Sequence, residues 1–112
     1  MEYEHATPVC VTVNVWLATV IVPVRASELL KVAAHPQRLA ILDLLGRNKR
    51  LCVTDLTDLL GVEQAILSQH LTLMRDKGLV DFAKEGKYSF YFLTQPDFMK
   101  IIRNIEHCCE TL

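Results

Sequence analysis

Residues 61–80 read Gly-Val-Glu-Gln-Ala-Ile-Leu-Ser-Gln-His-Leu-Thr-Leu-Met-Arg-Asp-Lys-Gly-Leu-Val. This is the pattern of the second half of a helix-turn-helix running into a strand. On a helical wheel Gln64, Ala65, Ser68, Gln69, Thr72, Arg75 and Asp76 share one arc of roughly 140°. Ile66, Leu67, His70, Leu71, Leu73 and Met74 fill the other side, which is expected to pack on a core. The outward arc carries short hydrogen-bonding groups and a single Arg. Such a surface suits close approach to base edges in a major groove, where amides pair with adenine and small side chains admit the helix. A merely solvated face would more often carry Glu and Lys.

The residues just upstream complete the unit. Thr54-Asp-Leu-Thr-Asp-Leu-Leu-Gly61 reads as a short helix with Thr54 as N-cap and Leu56, Leu59 and Leu60 inward. Gly61 supplies the tight turn between two crossing helices. Further upstream, Leu29, Leu30 and Ala33 give a helical pattern over residues 26–34, with Val32 at its margin. Pro36 opens another helix that buries Leu39, Ile41, Leu42 and Leu45, since proline suits a first helical turn and disfavours α geometry in the residue before it. Gly46-Arg-Asn-Lys-Arg50 then reads as a basic loop.

Downstream, Leu79–Ala83 and Lys87–Leu93 read as two strands joined at Glu85-Gly86. Residues 88, 90 and 92 alternate with 89, 91 and 93, which fits a hairpin with one covered face. A last helix over residues 96–110 carries Phe98, Ile101, Ile102, Ile105 and Cys108 or Cys109 as one apolar stripe. No later element covers that stripe, so a self-complementary pairing across a two-fold axis is expected.

Residues 9–24 stand apart. Valines at 9, 11, 13 and 15 alternate with Cys10, Thr12, Asn14 and Trp16, a period of two, before the run continues to Val24. Asn14 and Pro23 interrupt it, and it is too short and polar for a good membrane span. It is expected to pack on the domain or a partner subunit, as a strand or as a helix formed against propensity. Residues 1–25 are therefore set apart as an atypical apolar segment, and 26–112 as the DNA-binding domain.

The 112 residues suffice for one domain with a modest core. The net charge of −1 offers no bulk basic signature. Yet all twelve Lys and Arg fall between Arg25 and Arg103 against nine acids there, a local surplus of three. Cys10, Cys52, Cys108 and Cys109 do not form a CxxC ribbon, and the acidic first residues are unlike a secretory signal. A cytoplasmic protein with reduced thiols is expected. No Gly-rich phosphate loop, Ser-His-Asp pattern or paired-carboxylate cleft suggests an enzyme.

Helix, Pro-capped helix, helix-turn-helix, hairpin and helix is the order of a winged helix, a mainly α fold with a small β-hairpin. Ala34-His-Pro-Gln-Arg-Leu-Ala-Ile-Leu42 resembles the opening of the second helix in the ArsR/SmtB family of bacterial repressors. Leu51–Leu56 resembles that family's metal-box segment. Ser68-Gln-His-Leu71 and Lys77-Gly-Leu-Val80 resemble its recognition helix and first wing strand. Glu85-Gly-Lys with Phe90-Tyr-Phe-Leu93 resembles its wing. The resemblance spans residues 27–110 and implies a homodimer, joined through its terminal helices, that binds palindromic double-stranded DNA and is released by an inducer. No membrane partner is expected. A winged helix used only for protein contacts is the alternative, but it would carry a more apolar face than Gln64, Ser68 and Gln69 offer.

Gln64, Ala65, Ser68, Gln69 and Thr72 are the candidate base readers, and Lys84 and Lys87 flank the wing turn, where they are expected to meet phosphate or the minor groove. His70 is expected to be packed and hydrogen-bonded. Arg38 is expected to pair with an acid such as Asp43 or Glu63, and Arg47, Lys49 and Arg50 are candidate phosphate contacts. For sensing, Cys52 matches the first thiol of the family's Cys-x-Cys box, whose second position here is Thr54, no ligand for a soft ion. His107 and Glu110 resemble half of the family's interfacial zinc site. The family's other half, at the start of that helix, is an Asp and a His; here those positions read Gln95 and Asp97, of which only Asp97 can ligate, so three candidates stand where tetrahedral zinc usually takes four ligands. Cys108 and Cys109 offer a third route, a soft metalloid or oxidant acting as inducer.

Overall fold

The computed structural model describes the backbone of residues 13–111 and the side chains of residues 23–110. Helix α1 (Val13–Ala33) is followed by α2 (Pro36–Asn48), strand β1 (Leu51–Cys52), α3 (Val53–Leu60), α4 (Gln64–Asp76), β2 (Val80–Glu85), β3 (Tyr88–Leu93) and α5 (Phe98–Thr111). The period-two segment is thus helical from residue 13 onward, and α1 runs through residue 25 with Pro23 inside it. A strand needs a neighbouring edge to satisfy its backbone, whereas a helix bonds internally. Residues 9–12 lie outside the described residues. Among the described residues no helix is long and apolar enough to cross a membrane.

The core is contributed by every helix. Ile41, Leu42 and Leu45 of α2, Leu56 of α3, and Leu67, Leu71 and Met74 of α4 are all but inaccessible to solvent. Val32 and Ala33 close the cluster from α1, Leu79 and Val80 from the start of the hairpin, and Met99 and Ile102 from α5. Each Val, Leu, Ile or Met among them contributes about 1.5–3 kcal/mol on burial. In α1 and α3 three positions depart from the sequence pattern. Val32, read as marginal, is in the core, while Leu30 and Leu59, read as inward, are exposed. Both helices meet the core along a narrow line, so the apolar residue one step around the wheel stays outside.

The local signals for α2 act as anticipated at its start. Pro36 opens the helix, and the His35 ring accepts the Gln37 amide at 3.2 Å as its cap. At the other end the helix continues through Gly46, Arg47 and Asn48, so only Lys49 and Arg50 remain of the expected basic loop. Gly46 belongs there because α2 lies against α5: a Cβ on it would meet Met99 Cγ at 3.3 Å.

Helix α3 is capped by Cys52 rather than Thr54. The Asp55 carboxylate receives the Cys52 backbone amide at 3.3 Å and its thiol at 3.2 Å. Gly61 ends the helix in the left-handed conformation, φ 67°, and its amide bonds Thr57 O at 2.8 Å, which turns the chain into α4.

The sheet has the order β1-β3-β2, antiparallel throughout. Strand β1 was not anticipated, because two residues carry no periodicity. Pairing of Glu85 with Tyr88 sets the turn at Gly86-Lys87, one residue later than read from sequence, with Gly86 at φ 64°. Tyr91 and Leu93 pack against the core. Tyr88 and Phe90 form an aromatic pair, 6.3 Å between ring centroids, covered by cations instead of core: Arg50 lies 4.5 Å over Phe90 and Lys87 5.5 Å over Tyr88.

Candidate nucleic-acid interface

Helix α4 is held by a buried stripe of Leu67, His70, Leu71 and Met74, spaced i, i+3, i+4 and i+7. That stripe leaves Gln64, Ala65, Ser68, Gln69 and Thr72 exposed together. The candidate base readers therefore share one solvent-facing surface. Ile66 was expected inward and is instead 40% exposed, beside that surface. Leu73 is only half-buried. Arg75 ends the arc but is engaged: its Nε donates to Asp81 Oδ1 at 3.1 Å, and its guanidinium lies 4.4 Å over the Phe82 ring. It fastens the end of α4 to the first wing strand.

His70 is packed and hydrogen-bonded, as expected. The Arg38 Nε–H donates to its Nδ1 at 3.1 Å, and its Nε2 faces Gln37 Oε1 at 2.8 Å. An acceptor at Nδ1 requires the proton on Nε2, which then donates to the amide oxygen. Arg38 also bonds Val32 O at 3.1 Å. Its partners are thus an imidazole and a carbonyl, and not Asp43 or Glu63; residues this far apart in sequence cannot be matched by charge alone. Burial disfavours the imidazolium, and Arg38 and then His35, whose ring is 4.9 Å away, repel it. The His70 pKa therefore lies below that of a free imidazole. One side-chain cluster ties the end of α1, the start of α2 and the middle of α4.

At the wing, Lys84 and Lys87 are exposed on either side of the turn. Arg50 meets Glu85 through both guanidinium nitrogens at 2.9 Å. The pair holds the Glu85 carboxyl below its usual range, mainly through the hydrogen bond. Arg50 therefore braces the wing rather than presenting a spare cation. Arg47 is paired with Asp43 at 2.9 Å, and Arg103 approaches the same carboxylate at 3.8 Å. Among the described residues Lys49 and Lys84 make no ion pair, which leaves them as the unengaged cations of these two loops.

The candidate sensor residues are scattered within one chain. Cys52 is buried, 8% exposed, with its thiol on Asp55. Cys108 and Cys109 are exposed near the end of α5. His107 and Glu110 are exposed on the same helix, and Asp97 pairs with Lys100 at 3.2 Å. At 1.5 Å rise per residue, Asp97 and His107 lie about 15 Å apart along the axis. Among the described residues no three His, Cys, Asp or Glu side chains gather into a metal-binding group.

Residues 35–81, from the cap of α2 to the first residues of β2, match the model of a bacterial regulatory protein family described as arsR. An HTH-type transcriptional regulator of Methanocaldococcus jannaschii is 34% identical over 82 residues, covering 73% of this chain and 92% of that protein. The chain belongs to the ArsR family. The transcriptional repressor PagR of Bacillus anthracis is 38% identical over 77 residues, 69% of this chain and 77% of its own length. The crystal structure of PagR matches with a TM-score of 0.69 at 34% identity, covering 76% of this chain and 97% of that one. Reduced HlyU from Vibrio cholerae matches with a TM-score of 0.72 at 34% identity, covering 82% and 96%. The chain is thus a winged helix-turn-helix transcriptional regulator with DNA as its partner, in a family of transcriptional regulators rather than enzymes.

Proposed function

We propose that this ArsR-family regulator is a cytoplasmic repressor that reads a palindromic operator with α4 and grips the flanking backbone with its wing. The observation that carries this reading is the exposed arc of Gln64, Ala65, Ser68, Gln69 and Thr72 over a fully buried stripe. Gln64 and Gln69 supply amides for adenine edges, and Ala65 and Ser68 let the helix sit deep in the groove. Lys84 and Lys87 contact phosphate or the minor groove. Two copies join through α1 and α5, where Val24, Leu30, Ile101 and Ile105 are exposed. An apolar groove of about 300 Å³ lined by Leu30, Ala33, Leu39, Ile102 and Ile105 lies between the same helices.

The inducer is a thiol-reactive or soft metalloid species acting at Cys108 and Cys109. Their exposure at the end of α5 supports this, whereas Cys52 is enclosed. A release mechanism requires only that the modified thiols favour a different arrangement of the two subunits. Zinc held by Asp97, His107 and Glu110 is the lesser alternative, because Asp97 must then come from the other subunit.

The test is binding of the chain to its own upstream DNA, compared with scrambled duplex, for wild type and for Ser68→Ala with Gln69→Ala. Each good base contact discriminates by about 1–3 kcal/mol. The double variant is expected to lose its preference for the operator while keeping its fold. Unchanged preference would remove α4 from the reading of sequence.

A further inference from the structure

We propose that Ile66 is a specificity residue of α4 that contacts the 5-methyl group of a thymine at, or next to, the base pair read by Gln69. The inference rests on the proposed reading of DNA by α4 and assigns it one further contact. Ile66 is the third residue of the helix and 40% exposed, while Leu67 next to it is completely enclosed. It lies three positions before Gln69, which places the two side chains about 60° apart around the axis and nearly one turn apart along it. On the other flank, His70 is engaged by Arg38 and Gln37 and turns toward α2. Ile66 is thus outside the buried stripe and at the edge of the polar arc.

The major groove presents one apolar feature, the thymine methyl, among its donors and acceptors. A polar helix face with one apolar side chain at its edge matches an A·T-containing step: the Gln69 amide on adenine N6 and N7, and Ile66 on the methyl beside them. Isoleucine suits the task better than leucine. Its branched Cβ leaves one strongly preferred rotamer in a helix, so its methyl groups are held in position before binding.

The experiment starts from operator duplex selected by wild-type protein from a random-sequence pool. Each thymine is then replaced singly by uracil, which deletes the methyl and keeps every hydrogen-bonding edge. Binding is measured by anisotropy for wild type, Ile66→Ala and Ile66→Val. Burial of one methyl corresponds to about a fourfold change in affinity per half-site. Wild type is expected to weaken by this factor at one thymine in each half-site. Ile66→Ala should bind thymine and uracil duplexes alike at that position, and Ile66→Val should keep most of the difference. The exposure of Ile66 makes the variants fold normally, which circular dichroism checks. A selected site without thymine, a wild type indifferent to every uracil, or an Ile66→Ala variant with undiminished methyl dependence would each overturn the assignment of Ile66 while leaving DNA reading by α4 intact. Failure of wild type to select any sequence would overturn both.

Discussion

Replacement of Arg38 by methionine tests whether the cluster around His70 holds α4, the proposed recognition helix, in place. Methionine keeps the apolar stem and removes the guanidinium, so His70 Nδ1 and Val32 O both lose their donor. A hydrogen bond from a charged donor to a buried acceptor contributes about 1.5–3 kcal/mol. For a domain of this size a loss of about 2 kcal/mol lowers Tm by roughly 8–16 °C. Acidity supplies a second readout. The unfolded chain takes up a proton on His70 near pH 6.5, whereas the folded chain resists it to lower pH because the ring is buried and faces Arg38 and His35. Above the unfolded value both states are neutral and the cluster contributes fully. As pH falls through that value the unfolded state binds the proton first, so stability declines until the folded pKa is reached. Thermal melts of wild type, Arg38→Met and His70→Gln between about pH 5 and 8 measure both effects, since that range brackets the imidazole titration. The acid-side decline should be steepest in wild type, shallower in Arg38→Met, where one repelling charge is gone, and least in His70→Gln. A Tm for Arg38→Met within roughly 2 °C of wild type, or equal acid slopes in wild type and His70→Gln, would refute the reasoning.

Other consequences follow from the same geometry. Lys84→Ala with Lys87→Ala should weaken binding to all duplexes alike, and each lost phosphate contact should flatten the log–log salt slope by about 0.9; an unchanged slope would take the wing off the backbone. Ile101→Glu with Ile105→Glu puts charge on the exposed side of α5 and should raise the dimer dissociation constant by roughly 30-fold, about 2 kcal/mol, in sedimentation. Ile102 is unsuitable for that purpose, because it is 7% exposed and serves the core of its own chain. Cys108→Ser with Cys109→Ser should abolish the loss of operator affinity caused by arsenite or peroxide, with zinc having little effect on either protein; equal responses in anisotropy would refute the thiol model, and a zinc response lost in His107→Ala would favour the metal alternative.

The limits of sequence reading in this chain follow from the range of the interactions involved. The stripe of Leu67, His70, Leu71 and Met74 was legible because a helix repeats every 3.6 residues and the core selects one narrow line of that repeat. The same wheel placed Ile66 wrongly. It sits at the edge of the arc, where identity as an apolar residue outweighed angle, although the angle was the better guide. Leu59 was misplaced for the same reason. The cap of α3 was missed because cysteine is not a preferred N-cap, and the signal lay instead in Asp55, whose carboxylate takes both donors of Cys52. Arg38 was assigned an acid because charge is visible in sequence, while a neutral imidazole thirty-two positions away is not. The wing was legible in its strands, and in its turn to within one residue, but not in its brace, since Arg50 and Glu85 are joined only once β1 pairs with β3. These errors share a direction. Each assigned a side chain by its chemical type where the fold assigns it by position. The consequence bears on DNA recognition itself. On the proposed reading, residue type alone makes α4 a purely polar reader of donors and acceptors, whereas position adds an exposed apolar side chain beside its polar arc. A helix that combines Gln69 with Ile66 can distinguish A·T steps by hydrogen bonds and methyl contact together, and the thymine-to-uracil scan separates these two contributions.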